Sequence, residues 1–481
     1  MGVACDDNDP CTVDNRCDAR GSCSGVLHAC PSRPCRASTC DGKGGCVDVD
    51  APRGDPCGGF GGCALWACDG AGHCMGTPAG DGHPCDEGTC CGGRCTPTDT
   101  DPKHCGSCAA PCATGERCWG GRCSTCTPVL APFVTYDTGA YPMTLVLADT
   151  NGDSRRDLVT ANNSGGSVSI LTNAGAGTFG AHRDWPSGYD TASVAVGDLD
   201  GNGKPDIVAT RKDYALLSVM LADGQGGYGA PTTYPVGVFP QSVAVGDLNG
   251  DGWQDVAVAS VGGARVLLNK GDGTLDRADS YPTGAGPVSV AIGDLNRDGK
   301  PDLAVANDMD DTVTVLLNSG YGTFFSATSY PTGAYPVSVA IGDLDGDGWA
   351  DLAVACSSGT AMSRTAVVSV LLNHAGTFAQ SMDYPVGTGW LPQSVAMGDL
   401  DGDGDRDLVV ASFQVSKMSL FTNQGDGTFA PKVDLATAPT GWTNVGGAEV
   451  AVGDLDGDRM PDVAVANAYW DKVDVFLNTC Q

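Results

Sequence analysis

Histidine, basic residues and aromatic rings are all scarce in this chain. Of its 481 residues only 6 are His, 27 are Lys or Arg and 6% are aromatic, against 58 Asp and Glu. The net charge of −31 argues against nucleic acid and anionic membrane surfaces as partners. No apolar run reaches the length of a membrane-spanning helix, so no membrane insertion is expected. No window carries a sustained apolar helical period, which argues against an α fold. HExxH, a nucleophile elbow and a phosphate loop are all missing, and four of the six histidines precede residue 127. A non-catalytic protein is expected. Cysteine is nearly absent downstream, because 22 of the 24 fall within residues 1–126.

What is abundant is one acidic loop, D-x-[DN]-x-[DN]-x-x-x-D, present seven times. Its side-chain oxygens come from Asp149, Asn151, Asp153 and Asp157, then Asp198, Asp200, Asn202 and Asp206, then Asp247, Asn249, Asp251 and Asp255. Copy four has Asp294, Asn296, Asp298 and Asp302, and copy five Asp343, Asp345, Asp347 and Asp351. The last two have Asp399, Asp401, Asp403 and Asp407, then Asp454, Asp456, Asp458 and Asp462. A backbone carbonyl at position seven completes each set, from Arg155, Lys204, Trp253, Lys300, Trp349, Asp405 and Met460. Four such side chains within nine residues repel one another unless a cation lies between them. A hard ion with six to eight oxygen ligands and tolerance of irregular geometry is Ca2+. Five to seven ions are expected, and seven would take the net charge from −31 to −17. Calcium binding should therefore be coupled to folding. Position six should turn with φ > 0, which favours Gly. Copies five and six, fully acidic with Gly348 and Gly404, rank strongest, followed by copies two to four. Copies one and seven, with Ser154 and Arg459, rank weakest and could keep the turn through Asx hydrogen bonds alone.

The first Asp recurs after 49, 49, 47, 49, 56 and 55 residues, a period typical of solenoids, propellers and arrays. Each period holds four short β-rich runs, A to D, separated by Gly, Pro, Asn and Asp. Copy four shows the grammar: Pro287–Asp294, the acidic loop, Asp302–Ala306, Val313–Asn318, and Gly322 through Tyr330-Pro331. Seven repeats of four strands predict an all-β, seven-bladed propeller with strand A lining the central channel. Copy seven ends at strand C, Val473–Asn478, and Leu130–Tyr136 supplies the missing strand D. Alignment with the other hairpins puts Cys126 and Cys480 at one C–D hairpin position, where a disulfide clasp would close the ring covalently.

The blocks Ser242–Gly252 and Asn269–Thr274 resemble the FG-GAP (VCBS) repeats of bacterial surface proteins, which are similar to those of integrin α-subunit propellers. The resemblance covers residues 127–481. It implies calcium in the A–B loops, on the face opposite the usual ligand face.

Residues 1–126 are a different object, poor in apolar residues and rich in cysteine, which implies cross-links and an oxidising compartment. Residues 1–80 form one cysteine-rich region, with repeated Gly-x-Cys endings at Cys23, Cys46 and Cys74. Residues 81–126 form a second module that resembles stigma-specific-protein-like cysteine-rich modules, from Cys85 through Cys123. Zinc is the alternative reading, but spacings of five or six between most cysteines favour disulfides. Cys356 ends a core strand and reads as a buried free thiol. A secreted or cell-surface bacterial protein is implied. Met1–Cys5 has neither a basic n-region nor an apolar h-region, so no signal peptide is present in this sequence, and either a mature or trimmed chain or a misassigned gene start is expected. Arg53-Gly54-Asp55 reads as a chance match to the adhesion tripeptide.

The longer periods take their extra residues at Cys356–Thr365, Gly387–Pro392 and Ala436–Ala448, all on B–C or D–A connections. These bring Trp390 and Trp442, with Tyr469 and Trp470 on the next B–C loop, as a ligand patch suited to sugar rings or protein hot spots. Packing of each ring on its neighbouring blade is the alternative. Trp253 and Trp349, whose carbonyls are the ligands, have side chains free to cover metal. The expectation is a monomeric extracellular recognition protein that binds a glycan or a protein. A calcium-dependent polysaccharide lyase is the alternative, because some lyases use propellers of this resemblance.

Overall fold

The computed structural model describes residues 130–479 except 225, 358–364, 414 and 438–446, together with the backbone of short paired strands between Thr12 and Ser124. The chain divides into two compact units, Met1–Thr125 and Cys126–Gln481. In the first, antiparallel pairs such as Arg36–Cys40 with Cys46–Asp50 and Ala64–Cys68 with Cys74–Pro78 repeat. Their register sets Cys40 opposite Cys46 and Cys68 opposite Cys74. Cys126 and Cys480, the proposed clasp, lie outside the described residues, as do Trp442 and the Arg53-Gly54-Asp55 tripeptide.

The second unit is seven four-stranded antiparallel sheets, each in the order A-B-C-D. Blade 4 is typical, with strands Pro287–Gly293, Asp302–Asn307, Thr312–Asn318 and Phe324–Pro331. Strand B alternates small and β-branched residues and is buried along its whole length, as in Asp302–Asn307, because neighbouring blades cover both its faces. The strand-A elements touch in sequence around the ring, and that of blade 7, Gly447–Gly453, touches that of blade 1, Pro142–Ala148. The seventh sheet takes its outer strand from the other end of the unit, Val134–Asp137, paired with Lys472–Phe476. Leu130 bridges Asn478, and the Ala131 N–H donates to the Leu477 carbonyl at 2.8 Å. The two ends of the propeller unit are thereby joined within the closing blade, as the sequence predicts.

Three devices, two polar and one aromatic, tie the blades into a ring. The first is a hydroxyl girdle around the channel: Thr144, Ser193, Ser242, Ser289, Ser338 and Ser394 each accept a backbone N–H from the next strand A, at 3.1–3.3 Å. The seventh place in this girdle is Glu449. The second is an Asn at the end of strand C. Asn318 Nδ2 donates to Pro301 O of its own blade at 2.8 Å and to Leu248 O of the preceding acidic loop at 2.7 Å. Asn173, Asn269, Asn373, Asn423 and Asn478 repeat the bond to the preceding loop at 2.6–2.8 Å. The third is an edge-to-face aromatic pair between strand D and the next hairpin, as in Tyr281–Phe324 and Tyr330–Phe378. Cys356 is a buried free thiol whose ionisation burial pushes up to about 12.

Candidate metal centres and ligand face

All seven acidic loops take one shape. The position-one carboxylate accepts the position-six N–H, at 2.7–2.9 Å in every copy. Reaching that N–H requires a left-handed residue at position six, and every copy has one. In copies one and seven this falls on Ser154 (φ 66°) and Arg459 (φ 75°). These two loops therefore keep the common turn with a non-Gly residue held in the left-handed region, a strain that the other five loops avoid with Gly. Position four is also left-handed in every copy, a signal the sequence reading passed over: Gly in six copies and Arg297 in copy four. Position-three and position-five oxygens accept N–H groups two residues on, as in Asn249 from Asp251 and Asp251 from Trp253, both 2.9 Å.

Position nine differs from the rest. Asp157, Asp206, Asp255, Asp302, Asp351, Asp407 and Asp462 are all 0% exposed. One oxygen of each accepts the N–H of loop position two, and the other accepts the N–H at the end of strand C, as with Asp302 from Leu295 (3.0 Å) and Asn318 (2.8 Å). These carboxylates thus hold strands A, B and C in register as well as facing the loop. Burial raises their pKa, to about 6 for Asp255, Asp302 and Asp351 and about 7 for Asp407 and Asp462.

Where position three is Asp, ligand oxygens from positions one, three and nine lie within 4.8 Å of one another: Asp198/Asp200/Asp206, Asp343/Asp345/Asp351, Asp399/Asp401/Asp407 and Asp454/Asp456/Asp462. These groups could hold metal ions. Asp401 is only 1% exposed, so loop six gathers three carboxylates largely out of water. Asp345, Asp347 and His374 of the adjacent hairpin form a further such group. In copies one and four an internal cation answers part of the charge: Arg155 pairs with Asp153 at 2.7 Å and Lys300 with Asp298 at 3.2 Å. Position-seven side chains reach the preceding loop. Trp253 covers Gly201, Lys204 approaches Gly152, and Trp349 is stacked by Arg297 at 4.9 Å. The tryptophans thus shield the neighbouring blade's turn.

The opposite end of the barrel carries the D–A and B–C loops. Exposed side chains ring it: Tyr189, Tyr214, Phe239, Met309, Tyr335, Tyr469 and Trp470. Tyr141, Phe239 and Tyr335 occupy equivalent D–A positions in the left-handed region, at φ 61°, 49° and 53°, where blade 4 has Gly286. A bulky aromatic there is a backbone outlier. Aspartates of the B–C loops hold these turns: Asp471 accepts the Tyr141 N–H at 2.7 Å and Asp311 the Tyr335 N–H at 2.8 Å. Inside the ring, a cavity of about 690 Å3 opens on the channel, with Tyr141, Lys212, Gln241 and Asp308 at its mouth and Glu449 on its wall. Glu449 accepts the Ser394 hydroxyl at 2.6 Å, and desolvation raises its pKa to about 8.

The sequence-predicted aromatics divide. Tyr469, 49% exposed on the 3-10 turn Ala468–Trp470, packs between Phe413 and Tyr141 at 5.1 and 5.6 Å. Trp390 packs against the core between blades 5 and 6, with Lys432 and Lys417 over its ring at 4.4 and 5.3 Å. Phe239 and Tyr335 lie in repeats of ordinary length, outside the extra residues that single out Trp390 and Trp442 in the sequence. Their signal is an aromatic residue directly before the Pro that precedes or opens strand A.

The FG-GAP-like repeat model matches residues 149–209, 247–305, 294–354, 355–410 and 399–465, more than half of the chain and all seven acidic loops. This chain belongs to the FG-GAP repeat family. No curated protein matches it. Solved structures similar to this FG-GAP propeller include BBS1N in complex with ARL6DN. A lead-soaked crystal gives 14% identity over 73% of this chain and 97% of that one, at a TM-score of 0.51. A mercury-soaked crystal gives the same identity and coverage at 0.50. An Agrocybe aegerita lectin described as recognising non-reducing terminal N-acetylglucosamine is 23% identical over 62% of this chain and 81% of that one, at 0.46. At these identities the likeness concerns the fold alone.

Proposed function

We propose that this FG-GAP propeller is a calcium-stabilised, non-catalytic recognition protein that acts as a monomer outside the cell and binds a glycan or a protein through the face opposite its acidic loops. The observation that carries the reading is the aromatic ring on that face. Three of its D–A positions hold Tyr or Phe in a conformation suited to Gly, and strain kept at a surface loop points to a role for the side chain. Exposed rings suit sugar faces and protein hot spots alike. Calcium is supported by seven all-oxygen loops of one shape, with buried carboxylates facing each. The secreted setting is supported by the 22 cysteines of residues 1–126.

Glycan and protein arrays probed in calcium test this directly. The protein binds a ligand without turnover, and Phe239→Ala with Tyr335→Ala weakens that binding at least about tenfold while the melting temperature holds. Unchanged binding by the double variant contradicts the assignment of the face. The lyase reading keeps one observation in its favour, because Glu449, Lys212 and Tyr141 line a single cavity. Release of unsaturated products from a bound polysaccharide would decide for it.

A further inference from the structure

The junction between blades 1 and 2 breaks the pseudo-symmetry that the other junctions keep. Position two of six acidic loops is Leu, at most 2% exposed: Leu199, Leu248, Leu295, Leu344, Leu400 and Leu455. In loop one it is Thr150, whose hydroxyl turns back to Asp157. The Asn that clasps each blade to the preceding loop is replaced in blade 2 by Ala222, a position fixed by its bridge to Tyr228 as Asn269 is by its bridge to Leu275. The hairpin residue is Phe or Leu elsewhere and Tyr228 here, and the strand-D ring it meets is Trp185 where blades 2 to 5 have Tyr. Two side chains that plug the other junctions are thus missing from one junction.

The space they leave is a cavity of about 350 Å3, lined by Thr150, Ala222, Tyr228, Trp185, Arg183 and Lys204. Its volume lies in the range of small-molecule sites and far exceeds one water. Trp185 and Tyr228 meet edge to face at 5.4 Å and form an aromatic corner. The Tyr228 hydroxyl is buried among the blades, with no hydrogen-bond partner among the described residues, and it is the ring that lines the cavity. Arg183 lies 4.3 Å over Trp185 and donates to the Gly226 carbonyl at 3.1 Å, fixing its guanidinium at the rim. Gly152 leaves room for the Lys204 ammonium, whose Nζ lies 2.6 Å from where a Cβ would stand. Two cations at one small opening are conspicuous in a chain of net charge −31.

We propose that this cleft is a binding site for a small aromatic carboxylate. The flat ring lies in the Trp185–Tyr228 corner and the carboxylate faces Arg183 and Lys204. The site is on the acidic-loop side and independent of the aromatic face described above, so either can fail without the other.

Calorimetry on the full chain in calcium, with 4-hydroxybenzoate as the probe, tests the assignment. The wild type binds one equivalent saturably. Ala222→Asn, which restores the clasp and takes up the inner part of the cavity, weakens binding at least about tenfold with an equal or higher melting temperature. Arg183→Gln weakens 4-hydroxybenzoate but leaves phenol unaffected. No saturable binding by the wild type overturns the proposal, as does equal affinity in Ala222→Asn. Tighter binding of glucuronate than of 4-hydroxybenzoate overturns the ligand class.

Discussion

The seven buried aspartates at loop position nine do two jobs that can be separated by experiment. Asp302 faces the loop and also receives two backbone N–H groups. In Asp302→Ala both donors lose their partner inside the protein, each at roughly 1–3 kcal/mol. Denaturant unfolding of Asp302→Ala should show a loss of about 2–6 kcal/mol even in EDTA. Asp345→Asn, at a loop position that braces the turn and on the calcium reading would ligate the ion, should cost little in EDTA and most in calcium. Equal losses for both variants in EDTA would contradict the division. Glu449 makes a pH-dependent prediction. Its folded pKa is raised to about 8 by desolvation, so between the ordinary Glu value, about 4.3, and 8 the folded state holds the proton more tightly than the unfolded chain. The group therefore favours folding at low pH, and that advantage is lost as pH rises through the folded value. Glu449→Gln should gain on wild type as pH rises from 5 to 9 when melts are compared at fixed calcium. A constant difference would mean that Glu449 titrates normally.

At the scale of elements, the strands were legible because their physics is local. Alternating β-branched residues, Gly and Asp turns and the 49-residue spacing mark strand A and strand B in every repeat. The closing strand was legible by subtraction, since copy seven lacks a D run and Val134–Asp137 supplies it. Side-chain fates were less so. For Trp390 the sequence leaves open a ligand platform or packing on a blade, and the fold packs it, with Lys417 and Lys432 of blade 6 over its ring. The girdle of hydroxyls and the Asn clasps were invisible because each bond joins residues of different repeats, as with Asn318 and Leu248, 70 positions apart. Closure has a measurable consequence. A chain begun at residue 138 lacks Val134–Asp137 and leaves the edge of Lys472–Phe476 unpaired. It should melt lower than a chain begun at residue 127 and should self-associate in sedimentation. Identical melting of the two would show that closure contributes nothing.

For the whole molecule, the charge is the central problem and the loops are where it concentrates. The ligand positions hold 24 carboxylates, and the backbone holds every loop in the same turn whether position six is Gly, Ser or Arg. On the calcium reading proposed above, seven similar loops sharing one ring would make stability a direct readout of ion binding, since each site filled to about 100 times its Kd adds ~2.7 kcal/mol. Calcium should therefore act on the unfolding of the propeller as a unit, with the ring and its closing blade melting together. The decisive measurement is the thermal unfolding of the intact protein in EDTA and then in stepwise added calcium. The account predicts a large drop in melting temperature in EDTA and a progressive recovery as calcium is restored. An unfolding temperature that is the same with and without calcium would contradict it.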